Sequence, residues 1–386
     1  MNVRDLMEVF VRHRTDQPVM VSPGNSGTVL HHLGHREPTL YNLSLSYAGP
    51  TCFGLALARP DLKVVAVEGD GSLIAGLGFL TTLARYPLEN LVVLVIDNGR
   101  YLSTDRGALA TATASGADLH TIARGAGIEK VAAASTVDEV DQWLGRALRE
   151  KGPFVIVARV DPTGRLVSPP RPHEPDRTEA SLMFRRWLIE HPAPDSGAPW
   201  RGAPSVEGPA PEEGPGRASA RLIYQALKDA GVNLLVYLPD SILYPVQEIA
   251  ECDPEMRTIA CAREDEGVAI AGGAYYGGLT PALVTEGSGV GYSGLALANC
   301  IVRRTPLLVV ASHTESLGVR FDHDTTSRLV NEPILRALHI PYEVLTRAAD
   351  APALMRESVH QMGILKEPVG VVVPPYVMSD RGLRPI

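Results

Sequence analysis

Two polar segments of the sequence contain the residue types that bind a divalent metal ion and a diphosphate. The first, Gly69–Ser72, reads Gly-Asp-Gly-Ser, and the second begins at Asn98. Asp70 offers a carboxylate oxygen, Asn98 an amide oxygen and Arg100 a backbone carbonyl, and Mg²⁺ prefers such hard oxygens together with phosphate oxygens. Glycines let the backbone approach a ligand closely, and the N-terminus of a following helix favours an anion. Gly-Asp-Gly alone is more typical of a tight turn, so the pairing with Asn98 carries the prediction.

Apolar runs precede these polar segments and predict the elements that position them. In the first part of the chain the runs are Val19–Val21, Lys63–Val67, Leu91–Ile96 and Phe154–Ala158. Because they are apolar throughout rather than alternating, we expect central strands of a parallel sheet that is covered on both faces. Residues 50–58, 72–86 and 136–150 have helical spacing, which completes an α/β pattern. Ligands bind beyond the carboxyl ends of such strands, which is where Asp70 and Asn98 fall.

The last part of the chain repeats this pattern after a segment rich in proline and glycine. Its predicted strands are Asn233–Tyr237, 256–261, Ala282–Thr285, Leu307–Ala311 and Val369–Val373. We therefore predict an α/β protein with two domains, 1–160 and 217–386, each a parallel sheet flanked by helices. Residues 161–216 are predicted to form a linker with one helix at about 175–191 and an extended, mobile end.

Composition excludes several other classes of protein. The formal net charge is −8 without a block of Lys and Arg, so no nucleic acid is expected as a partner. The four cysteines lack CxxC spacing, which argues against a zinc site or a disulfide framework, and Cys52, Cys261 and Cys300 are expected to be buried thiols. No apolar run reaches about 18 residues and no signal-peptide pattern is present, so we expect a cytoplasmic protein without a membrane partner. No GxGxxG motif follows the first strand, which argues against a dinucleotide-binding domain.

The spacing of the polar segments resembles the signature of thiamin diphosphate (ThDP) enzymes. In that family a Gly-Asp-Gly turn is followed, after an interval similar to the 26 residues 72–97 here, by an Asn. The resemblance implies that residues 1–160 are a diphosphate-binding (PP) domain. It also implies the cofactors ThDP and Mg²⁺, with Asp70, Asn98 and the carbonyl of Arg100 on the metal ion.

Two further segments resemble loops of the PP domain. Ser22–Ser26 is similar to the first loop, which contacts the diphosphate, although a simple turn is the alternative for this segment by itself. Leu43–Gly49 is similar to the loop in which a bulky apolar residue, here Leu45, holds the cofactor in a bent conformation. The residues that the resemblance assigns to the cofactor are Gly24, Asn25, Ser26, Leu45, Ser46, Tyr47, Gly69, Asp70, Gly71, Ser72, Asn98, Arg100, Tyr101 and Glu264.

A cluster of acids at 264–266 resembles the activating segment of the pyrimidine-binding (PYR) domain. There the family uses one carboxylic acid to hydrogen-bond N1′ of the aminopyrimidine, and burial must raise the pKa of that acid. Glu264 is preferred because Gly273 follows at the family's interval, whereas Glu266, which abuts Gly267, is the alternative. The alternative to either catalytic assignment is structural: acids are generally favourable at a helix N-terminus, and these acids would then simply be solvated there.

Other segments resemble phosphonopyruvate and sulfopyruvate decarboxylases. Leu238–Leu243 is similar to their Val-Pro-Asp-Ser-Leu-Leu, and Leu338–Tyr342 to Leu-Gly-Ile-Pro-Tyr. Glu286–Gly291 is similar to Gln-Asn-Ser-Gly-Leu-Gly, but Glu and Gly replace Gln and Asn, which puts the substrate in doubt. Asp240, inside the first segment, is a candidate for proton transfer or substrate orientation.

The resemblance implies a small anionic 2-oxo acid substrate with a phosphonate or sulfonate on C3. Such a group requires local positive charge. The candidates are Arg100, Arg106, His313, Arg320, His323 and Arg328. His313 is preferred because it closes an apolar strand at the expected edge of the sheet, and it is also a candidate for proton transfer.

The order of the domains departs from that of the decarboxylases. They place PYR before PP or divide the two between subunits, whereas here PP comes first. The family binds ThDP between a PP and a PYR domain, commonly of different chains, so a homodimer or homotetramer with shared active sites is expected. The predicted reaction is non-oxidative decarboxylation of a 2-oxo acid to an aldehyde. A ThDP-dependent carboligase and a non-catalytic ThDP-fold subunit are the alternatives.

Overall fold

The computed structural model describes residues 1–104, 107–161, 176–194, 216–313 and 325–378, without the side chains of 102–108. It consists of two compact units, Met1–Ala198 and Pro199–Ile386. Much of the predicted linker, with its extended end, lies outside the described residues, as do Arg106, Arg320 and His323. The domain bounds 1–160 and 217–386 therefore stay predictions.

The first unit is built on a parallel sheet that has six strands within its described residues. The six strands of this sheet are β1 (Val19–Val21), β2 (Thr39–Leu40), β3 (Val64–Gly69), β4 (Leu91–Asp97), β7 (Lys130–Ala134) and β8 (Phe154–Arg159). A separate antiparallel hairpin is formed by β5 (Arg100–Thr104) and β6 (Gly107–Ala110). The helices of this unit are α1 (Val3–His13), α2 (Asn25–Gly34), α3 (Ala48–Ala58), α4 (Asp70–Ala75), α5 (Phe79–Arg85), α6 (Leu119–Gly125), α7 (Val137–Ala147) and α8 (Arg177–Glu190). The sheet order is β2-β1-β3-β4-β8-β7.

The second unit repeats this architecture. Its strands are β9 (Leu234–Tyr237), β10 (Arg257–Ala260), β11 (Pro281–Thr285), β12 (Leu308–Ser312), β13 (Tyr342–Val344) and β14 (Val369–Val373). Its helices are α9 (Arg217–Asp229), α10 (Tyr244–Glu251), α11 (Glu264–Tyr276), α12 (Gly287–Tyr292), α13 (Gly294–Arg303), α14 (Ser327–Val330), α15 (Glu332–Ala337) and α16 (Ala351–Leu365). The sheet order β10-β9-β11-β12-β14-β13 matches that of the first unit, strand for strand.

The apolar runs of the sequence form the interior of both sheets, as predicted. Every residue of β4 is buried, and so is every residue of β11, β12 and β14. Parallel strands covered by helices on both faces account for this continuous burial. The α/β class, with two parallel sheets flanked by helices, is therefore confirmed.

Several elements differ from the sequence-based expectation. The single helix expected over 72–86 is wrong: α4 and α5 are separate, and the chain turns between them at Gly76, where a Cβ would lie 2.6 Å from the Cβ of Ser46. The pattern also missed β2, which has two residues, and β7, whose alanines carry little strand propensity. The predicted helix near 175–191 is present as α8, which packs against β2.

The structure also bears on the predictions about the cysteines and about membrane-spanning helices. Cys52, Cys261 and Cys300 are buried thiols, as expected, whereas Cys252 is exposed. Among the helices that the structure describes, none combines the length and apolar composition that would let it cross a membrane.

Candidate functional site

The predicted metal ligands lie at the carboxyl edge of the first sheet, on two neighbouring strands. Gly69, the last residue of β3, pairs with Ile96 of β4, so Asp70 and Asp97 follow at the same level and Asn98 is one residue further. Asp70 is 2% exposed and starts α4. The order of the strands reverses at β1, between β2 and β3, and ligands of open parallel sheets bind beside such a reversal.

Two threonines that sequence reasoning missed hold the Asp70 carboxylate. The hydroxyl groups of Thr111 and Thr113 lie 2.5 and 2.8 Å from the same oxygen, Asp70 Oδ2. The Thr113 hydroxyl is also 2.7 Å from Oδ1 of the buried Asp97. Each hydroxyl proton can be donated to only one acceptor at a time, so the two threonine protons cannot serve all three of these close contacts at once. A cation beside Asp70 would offset that negative charge.

The hairpin β5–β6 positions the third predicted ligand. The Thr111 N–H donates to the Gly99 carbonyl, and the next cross-strand pair is Arg100 with Ala110. The alternation of an antiparallel ladder then directs the Arg100 N–H and carbonyl away from β6. The Arg100 N–H donates to Asn98 Oδ1 at 2.8 Å, which keeps the side-chain oxygen of Asn98 next to the turn. All three predicted metal ligands therefore belong to one edge.

The glycines of the edge fit a ligand that approaches the backbone. Gly69 has an ordinary φ of −78°, and a Cβ there would meet no atom within 4 Å, so neither the backbone nor packing requires glycine at this position. Gly24, before α2, has a φ of +137° that glycine tolerates best. At Gly71 a Cβ would collide with the Tyr101 ring at 2.2 Å. The open space at Gly69 is what a bound diphosphate needs, so the residues present fit ThDP.

The loop 45–47 joins this edge through Ser46. Ser46 has a left-handed φ of 72°, and its N–H donates to Ser72 Oγ at 3.0 Å. The apolar side chain of Leu45 is 45% exposed, whereas Tyr47 is buried. An exposed leucine beside a polar edge is consistent with the predicted contact with a cofactor. Asn25 and Ser26 start α2 directly after the first loop.

A buried carboxyl group, Glu68, connects the three loops of the edge and was not singled out from the sequence. The Gly49 N–H donates to Glu68 Oε1 at 2.8 Å. Ser22 Oγ accepts from the Gly69 N–H and Ser72 Oγ from the Ser46 N–H, which leaves each hydroxyl proton for Glu68. Burial outweighs these hydrogen bonds and raises the pKa of Glu68 to about 7.

In the second unit, Glu264 lies at the first position of α11 and is 7% exposed. Burial raises the pKa of Glu264, and the neighbouring carboxylates of Asp265 and Glu286 raise it further. Glu266 is also buried, so burial does not separate the two candidates. Asp265, between them, pairs with the Arg263 guanidinium.

Gly289 covers Glu264 more closely than any side chain would permit. A Cβ at this position would lie 2.2 Å from Thr285 Oγ1, 2.6 Å from Glu264 Cγ and 2.8 Å from Glu264 Oε1. Thr285 is fully buried, and its hydroxyl has no hydrogen-bond partner among the described residues. Ser327, from α14, donates to Glu286 at 2.7 Å and holds that carboxylate beside the same loop.

Asp240 and His313 lie at the carboxyl edge of the second sheet, after β9 and β12. The N–H groups of Ile242 and Leu243 donate to the two oxygens of Asp240 at 3.0 and 3.1 Å. His313 is 1% exposed and has a left-handed φ of 65°. Both residues are therefore buried and fixed. The predicted cations Arg100 and Arg328 are exposed.

Comparisons with known proteins agree with this arrangement of two sheets. Residues 24–158 match the family "Thiamine pyrophosphate enzyme, C-terminal TPP binding domain", and residues 217–331 match "Thiamine pyrophosphate enzyme, N-terminal TPP binding domain". The sulfopyruvate decarboxylase subunit alpha of Methanothermobacter thermautotrophicus is 31% identical over 37% of this chain and 86% of its own. The chain belongs to the thiamine pyrophosphate enzymes. Its two family domains occur in swapped order, and thiamine pyrophosphate is another name for ThDP.

Further relatives of this thiamine pyrophosphate enzyme have related names. The sulfopyruvate decarboxylase subunit beta of Methanocaldococcus jannaschii is 32% identical over 41% of this chain and 83% of its own. The phosphonopyruvate decarboxylase of Streptomyces viridochromogenes is 33% identical over 46% of this chain but only 44% of its own. Among solved structures, transketolase from Campylobacter jejuni shares the fold, with a TM-score of 0.58 at 15% identity over 97% of this chain and 71% of its own.

The stability of the first unit is expected to depend on pH through Glu68. The folded state raises the pKa of Glu68 to about 7, so its contribution is complete below the unfolded-state pKa and is lost as the pH rises through 7. Relative to Glu68→Gln, wild-type protein should lose about 3 kcal/mol of unfolding free energy between pH 4.5 and 7.5. Urea unfolding of cofactor-free protein measures this difference. The exposed Glu190→Gln is the control, and parallel curves for wild type and Glu68→Gln would contradict the expectation.

Gly289→Ala is expected to displace Glu264, since the new Cβ would overlap Glu264 Cγ and Thr285 Oγ1. Misplacing a reacting group by about 1 Å can cost about 100-fold in rate, and we expect a loss of that order in ThDP-dependent turnover. Gly294→Ala is the matched control, because its Cβ would meet only Ile334 at 3.9 Å. Equal turnover of both variants would show that the space above Glu264 is not needed.

Proposed function

We propose that the chain catalyses the ThDP- and Mg²⁺-dependent, non-oxidative decarboxylation of a 2-oxo acid, and that the acid carries a sulfonate or phosphonate on C3. The names of the relatives support the substrate class, because two are called sulfopyruvate decarboxylase subunits and one phosphonopyruvate decarboxylase. The segment Leu238–Leu243 supports it from within this chain.

The observation that carries the proposal is the environment of Glu264. Glu264 lies at the start of α11, is covered by Gly289, and has its pKa raised by burial and by its acidic neighbours, which favours the protonated form. A protonated carboxyl can donate a hydrogen bond to a ring nitrogen, whereas a carboxylate cannot. This is the role that the aminopyrimidine of ThDP requires.

The first unit supplies the groups that would hold the diphosphate and its metal ion. Asp70 and Asn98 offer side-chain oxygens and Arg100 its backbone carbonyl, and the open backbone at Gly24 and Gly69 leaves room for phosphate oxygens. When bound, ThDP supplies the nucleophilic carbon and the electron sink that allow the bond to the carboxylate to break. The protein contributes binding, orientation and proton transfer.

Proton transfer falls to the carboxyl edge of the second sheet. Each decarboxylation consumes one proton, since R–CO–COO⁻ and H⁺ give R–CHO and CO₂. Asp240 and His313 are the pair that we assign to this step, and His313 is also our candidate for contact with an anionic tail. Burial raises the pKa of Asp240, which favours its protonated form.

We further propose a homodimer or homotetramer with shared active sites. The relatives named alpha and beta subunits are separate chains, whereas both family domains occur in one chain here. A proline- and glycine-rich connection between the domains would allow each to meet a partner domain.

With ThDP and Mg²⁺ we expect release of CO₂ from sulfopyruvate or phosphonopyruvate, faster than from pyruvate. Removal of metal with EDTA should stop the reaction, and Mg²⁺ should restore it. Asp70→Asn should require at least about tenfold more Mg²⁺, because one anionic ligand is lost. The measurement is CO₂ release together with a calorimetric titration of ThDP. Cofactor binding without turnover of either acid would refute the substrate assignment.

Glu264→Gln is expected to lower kcat by about 10²–10⁴-fold while ThDP still binds, because an amide cannot replace an acid whose proton is shared with the cofactor. Glu266→Gln is the matched control, two residues away and equally buried, and should stay within about threefold of wild type. Steady-state kinetics and ThDP titration of both variants decide the assignment. The reverse result would move the activating role to Glu266.

A further inference from the structure

The two oxygens of the Asp70 carboxylate are in different situations. Thr111 Oγ1 and Thr113 Oγ1 lie 2.5 and 2.8 Å from Oδ2, and the two hydroxyl oxygens lie 2.9 Å from each other. Asp70, Thr111 and Thr113 are each 2% exposed, so bulk water does not compete for these bonds. Both contacts fall on Oδ2, which leaves Oδ1 as the oxygen that this pair of hydroxyl groups does not engage.

The hydroxyl group of Thr111 is not used by the backbone around it. Thr111 directly precedes the short 3₁₀ helix Ala112–Ser115, but within the described part of the chain its side chain makes no capping hydrogen bond to that helix. Its N–H donates to the Gly99 carbonyl at 3.0 Å, which ties the residue to the turn after Asn98. The backbone therefore fixes Thr111 beside the metal edge and leaves its hydroxyl proton for Asp70.

The hydroxyl group of Thr113 lies between two carboxylates, one of which has other partners. It is 2.7 Å from Asp97 Oδ1. That oxygen also accepts from the Gly99 N–H at 3.2 Å, and Asp97 Oδ2 lies 3.5 Å from the Arg159 guanidinium. Asp97 therefore keeps two stabilising contacts when the Thr113 proton is donated to Asp70.

We propose that Thr111 and Thr113 are positioning residues that restrict Asp70 to one metal-facing oxygen and thereby select Mg²⁺ over Ca²⁺. A carboxylate carries about two lone-pair positions on each oxygen, so donation from both threonines occupies Oδ2 and leaves Oδ1 for the cation. The inference rests on the proposed function, because it concerns the metal ion that accompanies the proposed cofactor.

The two cations use carboxylates differently. Mg²⁺ requires a nearly octahedral set of oxygens at about 2.0–2.1 Å, whereas Ca²⁺ takes about 6–8 oxygens at about 2.3–2.6 Å and often binds both oxygens of one carboxylate. A carboxylate whose second oxygen is already engaged still offers Mg²⁺ one ligand, but it denies Ca²⁺ the second. The threonine pair therefore disfavours Ca²⁺ more than Mg²⁺.

The cation dependence of ThDP binding to the full-length protein, without substrate, tests this selectivity. Equilibrium dialysis at a fixed ThDP concentration gives the Mg²⁺ and the Ca²⁺ concentrations for half-maximal binding, and the ratio of Ca²⁺ to Mg²⁺ measures the selectivity. Thr111→Val and Thr113→Val keep the branched shape and remove the hydroxyl group. Each should lower the ratio, and the double variant should lower it by about tenfold. A general loss of fit would move both concentrations together and leave the ratio unchanged.

Three controls accompany these variants. Thr111→Ser and Thr113→Ser keep the hydroxyl groups and should retain the wild-type ratio. In Thr121→Val the lost hydroxyl group is an exposed one that donates to Asp118 at 2.5 Å, a carboxylate outside the predicted metal ligands, so the ratio should not change. A wild-type ratio in the double valine variant would overturn the proposal, even with both affinities reduced, because the threonines would then serve packing alone.

A second measurement needs no variant and decides even if the valine variants do not fold. A crystal structure of wild-type protein with ThDP and Ca²⁺ should show one oxygen of Asp70 on the cation and the other on Thr111 and Thr113. Both oxygens of Asp70 on Ca²⁺ in the wild-type protein would overturn the proposal.

The failure of this inference can be told apart from the failure of the proposed function. If ThDP binds with Mg²⁺ but no 2-oxo acid releases CO₂, the proposed decarboxylation fails while the ratio still reports on the threonines. If CO₂ is released and the double valine variant keeps the wild-type ratio, the proposed function stands and the selectivity fails.

Discussion

The cost of burying carboxyl groups governs both edges of this protein. Glu68, Asp70, Asp240 and Glu264 are each less than 10% exposed, and each lies just at or beyond the carboxyl end of a parallel strand. A buried carboxylate is unfavourable unless hydrogen bonds or positive charge compensate it, and otherwise the group takes up a proton. The edges show both solutions. Threonine hydroxyls contact Asp70, where a cation is expected, whereas burial raises the pKa of Glu68, Asp240 and Glu264, which favours their protonated forms.

The identical strand order of the two sheets explains why such different chemistry can be built twice in one chain. In both units the order reverses at the first strand, and the loops after the first and third strands face that reversal. The first unit places Ser22 and Asp70 there, and the second places Asp240 and Glu286. The framework is the same, and the side chains in the loops distinguish the edge of Asp70 and Asn98 from the edge of Asp240 and Glu264. The exchange of the two domains along the chain leaves each of these edges intact.

Much of this arrangement could be predicted from the sequence, because its signals are local. Continuous apolar runs gave the central strands, and Asp70 and Asn98 follow two of them directly. The rest depends on contacts between distant residues. Thr111 and Thr113 reach Asp70 from the far end of a hairpin, in an alanine-threonine segment without a motif. Asn331 reaches the backbone of His313 from 18 residues away, and Ser46 leaves no room for a Cβ at Gly76, where the chain turns after α4. Burial is common to Glu264 and Glu266 and does not distinguish them.

The presence of both family domains in one polypeptide has a consequence for the supply of the protein in a cell. Relatives that are named as alpha and beta subunits are separate translation products, whose amounts can differ. Here each ribosome that finishes the chain delivers one domain of each kind. The ratio is set by the genetic message itself and does not vary with expression level.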